Sequence, residues 1–380
     1  MNYRDPKSIQ EALDERREAH ALRYLAPVTG GIDLCSNDYL GISRKLASIH
    51  LAPSSEYGVM GATGSRLVSG TTQAHEDLES FLAEFHAAPS ALLFGSGYEA
   101  NVGLLSSIGT RHDTIIYDDL VHASMRDGIR LSAARSYSFR HNDLDDLRKK
   151  IAQARGDIFV AVESLYSMDG HTAPLRELCE VCEEMGAYLI VDEAHATGVY
   201  CKRGEGLVQR EGLESRVYAR VHTFGKGVGY RGAIVIGSET LREYLVNFAR
   251  PFIYSTAPDL LTLRYIDHAY RLMADAHDER TRLRALIDSV RLLREEFPAL
   301  SFLDSDSPIQ GVVLPSNERV LAAEGALQGA GFFAKAIRSP TVPHGSERIR
   351  LCLHAYNTLD EVRECLGIIA DSLPRGVVNG

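Results

Sequence analysis

The amino-acid sequence predicts an α/β protein with a large lobe on a mainly parallel sheet and a smaller C-terminal α/β lobe. Three observations carry that expectation. The chain has 380 residues, and single cores rarely grow past about 250–300 residues, so two lobes are expected. From residue 85 onward, short β-branched or aliphatic runs alternate with helical patterns. Such alternation indicates βα units and a sheet covered on both faces. After "FIYSTAPDLL" (252–261) the character changes to long charged helices.

In chain order, "MNYRDPKSIQEALDERREAH" (1–20) reads as an amphipathic helix and is too charged for a signal peptide. "SALLF" (90–94) is a strand, followed by a Gly turn and the helix "ANVGLLSSI" (100–108). Further strands are "DTIIYDD" (113–119), "IFVAVES" (158–164), "AYLIV" (187–191), "RVHTF" (220–224) and "GAIVIGS" (232–238). Each is too short for a helix and is bounded by turn residues. Helical patterns fill 261–297. Shorter strands come next in "SPIQGVVLPS" (307–316), "GFFAKAIRSP" (331–340) and "RIRLCLHAY" (348–356), and "TLDEVRECLGIIADSL" (358–373) closes the chain as a helix. The expected division is an N-terminal helix and arm (1–45), a large cofactor-binding domain (46–265) and a small C-terminal domain (266–380).

A net charge of -10 argues against nucleic-acid binding, which needs clustered Lys and Arg. No apolar run reaches the length of a membrane span, so no membrane partner is expected. The six cysteines suggest no disulfide framework in a chain this long, and a cytoplasmic protein is expected. Cys179 and Cys182 form a C-x-x-C, but inside a helix-then-strand pattern and without a second ligand pair. They read as core, and no metal is expected.

"GVGYRG" (227–232) fits the G-x-G-x-x-G dinucleotide fingerprint. That motif needs a helix after its glycines, whereas here a strand comes next, so the fingerprint is rejected. The neighbouring Lys226 is the informative residue. Gly225, Gly227 and Gly229 let the backbone pass close to a planar ligand, and a desolvated lysine there would serve as a carbonyl-binding nucleophile. In open α/β sheets ligands collect at the carboxyl ends of strands. Asp192 and His195 come after one strand, His122 after a second, and Ser96, Gly97 and Tyr98 open a helix after a third. A carboxylate can hold a pyridine nitrogen protonated, helix-start N–H groups bind phosphate, and an imidazole can stack on a ring. Together they point to pyridoxal 5'-phosphate (PLP).

The motifs "CSNDYLG", "GATGSRLVSGTTQAHEDLE", "FGSGYEAN", "VHASMRDG", "FRHND", "ESLYSMDG", "VDEAHATGVY", "TFGKGVG", "FIYSTAPD" and "SPTVPHGSERIRLCLHAYNT" occur in that order. So arranged, the chain resembles the α-oxoamine synthases, fold-type I PLP-dependent transferases that condense an amino acid with an acyl thioester and release carbon dioxide. The resemblance implies that Lys226 carries the cofactor, Asp192 pairs with its ring nitrogen, His195 with its phenolic oxygen, and His122 stacks on it. Thr223 matches a phosphate-binding hydroxyl. Ser255 and Thr256 match positions that reach a neighbouring subunit's phosphate, implying a homodimer with shared sites. Ser167 lies near the ring oxygen in that pattern and Glu163 lines the site. Asn37 and Arg350 match the grip on the amino-acid carboxylate, although Arg348 shares the strand face of Arg350.

"AIRSPTVPHGSERIRLCL" and "FARPFIYSTAPD" look most like the members that join L-alanine to a pimeloyl thioester in biotin synthesis. Whether coenzyme A or an acyl carrier protein carries the acyl group stays open. The rivals are a synthase using glycine or serine with another thioester, an aminotransferase, or a non-catalytic partner subunit, against which the presence of Lys226 speaks. Two segments depart from the family: "APVTGGIDLC" is short, and "HAYNT" puts His354 where a small hydroxyl residue is usual.

Overall fold

A computed structural model describes residues 5–25, 27, 30–51 and 61–373 of the chain. Residues 1–4 of the expected N-terminal helix and 26, 28 and 29 of the short segment lie outside that range. The chain divides into two compact units. The larger comprises 37–167 and 171–281, the smaller 1–36, 168–170 and 282–380.

The larger unit is built on a seven-stranded sheet in the order Ser90–Phe94, Ala233–Gly237, Ala219–Thr223, Ala187–Asp192, Ile158–Glu163, Thr114–Asp118, Arg135–Phe139. Only Ala233–Gly237 runs against its neighbours. The central strands are buried almost throughout. Continuous apolar runs result, where a strand with one wet face would alternate. Arg135–Phe139 was not among the expected strands. It is an edge strand buried only at Phe139, so it carries no apolar run to read. Gly229 and Gly232, with φ of 74° and 108°, make the turn from Thr223 into the antiparallel strand Ala233–Gly237. The glycine string thus leads into a strand, as expected.

The smaller unit holds a four-stranded antiparallel sheet in which Arg348–Cys352 lies between Lys335–Ile337 and Ile309–Val313. The N-terminal segment belongs to it: Ile32–Asp33 pairs in parallel with Phe332–Phe333, and Cys352 N–H donates to Leu34 O. The helix Lys7–Glu18 forms but buries no residue.

The units therefore part at 36/37 and 281/282, where the sequence suggested 45/46 and 265/266. Tyr270 explains the later boundary. Fully buried on the helix Leu260–Ala274, it packs edge-on against Phe85 and Phe224 and holds that helix in the larger unit. Cys179 and Cys182 are buried on the helix Leu175–Met185, where burial raises their pKa to about 11 and about 12. They are inert core thiols. Among the described residues no helix is long and apolar enough to cross a membrane.

Candidate active site

The parallel strands of the larger unit deliver their carboxyl ends to one edge. Glu163 and Asp192 are the last residues of adjacent strands and stand opposite each other in register. Thr223 ends the next strand, and Lys226 lies three residues beyond it. Ser96 and Gly97 begin the helix after Ser90–Phe94, and His122 begins the one after Thr114–Asp118. Chain direction thus gathers residues that are far apart in sequence.

Asp192 is 4% exposed and fully engaged. Its Oδ2 accepts from Asn101 Nδ2 at 2.7 Å and its Oδ1 from Ala194 N–H at 2.8 Å. Glu163 behaves oppositely. Burial, and then the charge of Asp192, push its pKa up, and its Oε1 is buried without a hydrogen-bond partner. Burial of that depth favours the protonated, neutral form of Glu163.

His122 accepts Ser124 N–H at Nδ1 (3.2 Å), which fixes the ring at the head of its helix. Its surface is open, yet desolvation, and secondly the Lys226 cation, hold its pKa below the usual value. His195 is buried, with Nδ1 2.7 Å from Tyr39 Oη. Asn37 is half-buried and its Oδ1 lies 3.2 Å from the same hydroxyl.

Gly97 sits so close to Thr223 that a Cβ there would lie 3.1 Å from the threonine Cβ and Oγ1. Helix-start N–H groups and a hydroxyl therefore converge on one small space. Ser96 caps the helix by accepting Glu99 N–H at 3.2 Å. Tyr98 is exposed, and its hydroxyl donates to Asp127 at 2.6 Å. Ser167 is buried, Ser255 half-buried and Thr256 exposed. Thr256 is bridged to Ser65, and Ala257 N–H donates to Gly64 O at 3.0 Å, joining "GATGS" to "YSTAP".

Arg350 stands in the smaller unit, 8% exposed, on Arg348–Cys352. Arg348 shares that strand but has its own acid: Nη1 is ion-paired with Asp169, and Nε donates to Ser346 O at 2.8 Å. Glu347, next to Arg348 in the chain, accepts the N–H groups of Ser316 and Gly345. Sequence reasoning gave no role to Asn101 or Tyr39, although both lie in quoted motifs. A residue acting through another leaves its signal only in the contact.

The set suits PLP. A buried carboxylate held by two donors, a lysine near it, an imidazole and a cradle that a single Cβ would fill are the groups that a pyridinium phosphate aldehyde needs. The family model for class I and II aminotransferases matches residues 29–369. The chain belongs to that family, as an α-oxoamine synthase of the fold-type I, PLP-dependent transferases. An 8-amino-7-oxononanoate synthase of Emericella nidulans is 41% identical to it, over 97% of this chain and 96% of that protein. The solved 8-amino-7-oxononanoate synthase of Francisella tularensis is 30% identical with a TM-score of 0.77, covering 90% of this chain and 97% of its own. A serine palmitoyltransferase of S. paucimobilis, solved with bound PLP and myriocin, is 25% identical with a TM-score of 0.83 and 96% coverage of each chain.

Proposed function

We propose that this protein is a PLP-dependent acyltransferase that condenses L-alanine with a pimeloyl thioester to give 8-amino-7-oxononanoate, carbon dioxide and free thiol. The observation that carries the reading is the junction of Lys226, the doubly hydrogen-bonded Asp192 and the Gly97–Thr223 cradle on one sheet edge, in a chain alike end to end to synthases of that name. PLP would be held by Lys226 at its aldehyde, Asp192 at its ring nitrogen, and Thr223 with the first turn after Ser96 at its phosphate. Bound there, it supplies covalent capture of amines and a ring that delocalises the electron pair left at Cα.

The protein's own work is binding and proton management. Arg350, with Asn37, grips the alanine carboxylate through a charge-assisted fork. Lys226 Nζ takes the Cα proton and later returns one at the same carbon. Asp192, fixed by Asn101, keeps positive charge at the ring nitrogen throughout. His195 and Ser167 stand at the ring's phenolic oxygen. Glu163, kept neutral, adds no second negative charge beside Asp192. His122 covers one ring face. Ser255 and Thr256 complete the neighbouring subunit's phosphate site, so the working form is a cytoplasmic homodimer.

The purified protein, loaded with PLP, is incubated with pimeloyl thioester and each of alanine, glycine and serine, and products are identified by mass spectrometry. Alanine should give 8-amino-7-oxononanoate and carbon dioxide, and Lys226→Ala should give neither. Preferred turnover of glycine or serine would move the protein to another branch, and amino exchange without thioester would make it an aminotransferase.

A further inference from the structure

The acyl-transfer chemistry uses neither His222 nor Thr197, both fully buried in the larger unit. On the strand Ala219–Thr223 successive side chains face opposite ways, so His222 points away from the side that Thr223 faces. Its Nδ1 lies 2.8 Å from Thr197 Oγ1, and the Thr197 hydroxyl donates to Glu193 O at 2.8 Å. The same threonine reaches further along the loop. A Cβ on Gly227 would collide with Thr197 O, and one on Gly198 would stand 2.9 Å from the Gly227 carbonyl, so the two backbones touch. Thr197 therefore spans the loop of Lys226, with its side chain at the root and its main chain against the residue next to the lysine. That loop closes on itself through Gly229 N–H to Lys226 O at 2.8 Å and Tyr230 N–H to Phe224 O at 2.7 Å. A shift at Gly227 thus carries the lysine with it. Around His222, three buried polar atoms have no hydrogen-bond partner among the described residues: its own Nε2, His86 Nδ1 and Arg220 Nη1. The two imidazoles stack with centroids 3.8 Å apart, and Arg220 Nη2 donates to His86 O at 2.7 Å. Burial first, then His86 and Arg220, hold the His222 pKa well below its usual value, so the ring offers a hydrogen bond and no charge.

Unsatisfied buried groups cost stability that an apolar side chain of similar size would spare. What an apolar side chain cannot supply is the bond to Thr197. On the reading of Lys226 as the group that moves the Cα proton, we propose that His222 is a positioning residue for that lysine. Through Thr197 it fixes the backbone from which Lys226 reaches the proton. Proton transfer depends on close placement of donor and acceptor, so a loosened loop slows that step. The grip on the alanine carboxylate, made by other elements, stays as it was.

Three variants of the holoenzyme separate the bond from the bulk. His222→Leu and Thr197→Val remove the bond while filling the space, and His222→Asn keeps a polar atom at the place of Nδ1. Deuterium exchange at the alanine Cα, measured in heavy water without thioester, should slow by about tenfold to a hundredfold in the first two. The alanine concentration at half-saturation should change little, and His222→Asn should recover most of the wild-type rate. The double variant His222→Leu/Thr197→Val should be no slower than either single one, since both remove the same contact. Backbone amide exchange, read by mass spectrometry, should quicken over residues 224–232 in His222→Leu and Thr197→Val, an arm that needs no turnover. Melting curves check folding, and Thr197→Val, a hydroxyl exchanged for a methyl, decides the matter should His222→Leu not fold. Wild-type Cα exchange in both variants, a loss that His222→Asn does not reverse, or losses that add in the double variant would each overturn the proposal. Absence of Cα exchange in the wild type would instead overturn the reading of Lys226, and the backbone exchange would then decide whether His222 holds the loop.

Discussion

Glu163 and Asp192 occupy equivalent places on adjacent strands, and their surroundings drive them apart. Asp192 has two donors aimed at it, while Glu163 has an unpartnered oxygen and a raised pKa caused by burial and the neighbouring charge. Between the unfolded value of Glu163 near 4.5 and its higher folded value, the native state holds a proton that the unfolded state has released. Stability therefore falls as pH rises through that window, by up to about 1.4 kcal/mol per pH unit. Glu163→Gln mimics the neutral form and should flatten that slope in urea melts of the apoprotein between pH 5 and 7; an unaltered slope would mean that Glu163 is ionised.

The two strand arginines separate in the same way. Arg348→Ala strands the Asp169 carboxylate, whose side chain is 14% exposed, and should destabilise the fold by about 3 kcal/mol. Arg350→Ala should instead weaken alanine binding by about 2–5 kcal/mol and leave PLP affinity alone. Alanine titrations and melting curves on both variants decide between the roles.

At the scale of elements, the helix Gln73–Phe85 starts with a capping box in which His75 replaces the usual Glu. Its Nδ1 faces Thr72 N–H at 3.3 Å, and its Nε2 faces Pro258 O at 3.0 Å. One imidazole thereby caps a helix and ties it to the segment that carries Ser255 and Thr256. The arrangement needs neutral imidazole. Burial first, then Arg66, lowers its pKa from 6.5 to about 4. This histidine's stability contribution is complete above 6.5 and is lost as pH falls towards 4, because the unfolded chain takes up the proton first. His75→Gln should remove that part of the acid sensitivity while costing about 1 kcal/mol at neutral pH through the weakened cap. Melts of both proteins from pH 7 to pH 5 give the comparison.

For the whole molecule, the sharpest expectation is a site shared between two copies of the chain. A Lys226→Ala protein and a Thr256→Asp protein should each be inactive alone. In the mixed dimer one site receives both wild-type residues, so random reassociation should restore about a quarter of wild-type activity, from half the dimers carrying one good site of two. Mixtures that never exceed either parent after unfolding and refolding together would remove Ser255 and Thr256 from the shared role.

Much of the molecule was legible in its sequence, for a physical reason. Buried parallel strands leave continuous apolar runs, and the residues at or just past their ends stand at the carboxyl edge of the sheet, as Asp192, Thr223, Lys226 and the helix start at Gly97 do. The inert C-x-x-C and the missing helix after "GVGYRG" were also local matters, settled by periodicity and by the apolar run next to the glycines. Other features had no local signal. The edge strand Arg135–Phe139 is exposed and carries no apolar run. The late boundary depends on where Tyr270 packs, and the membership of residues 1–36 in the smaller unit depends on strand pairing some three hundred residues away. The raised pKa of Glu163 and the pairing of Arg348 are decided by burial and by a contact with Asp169 that no spacing announces. Sequence determines what each segment can be, because propensity and burial pattern are written along the chain. Tertiary structure decides which charges are paired, because pairing depends on distance between residues that the chain itself keeps far apart.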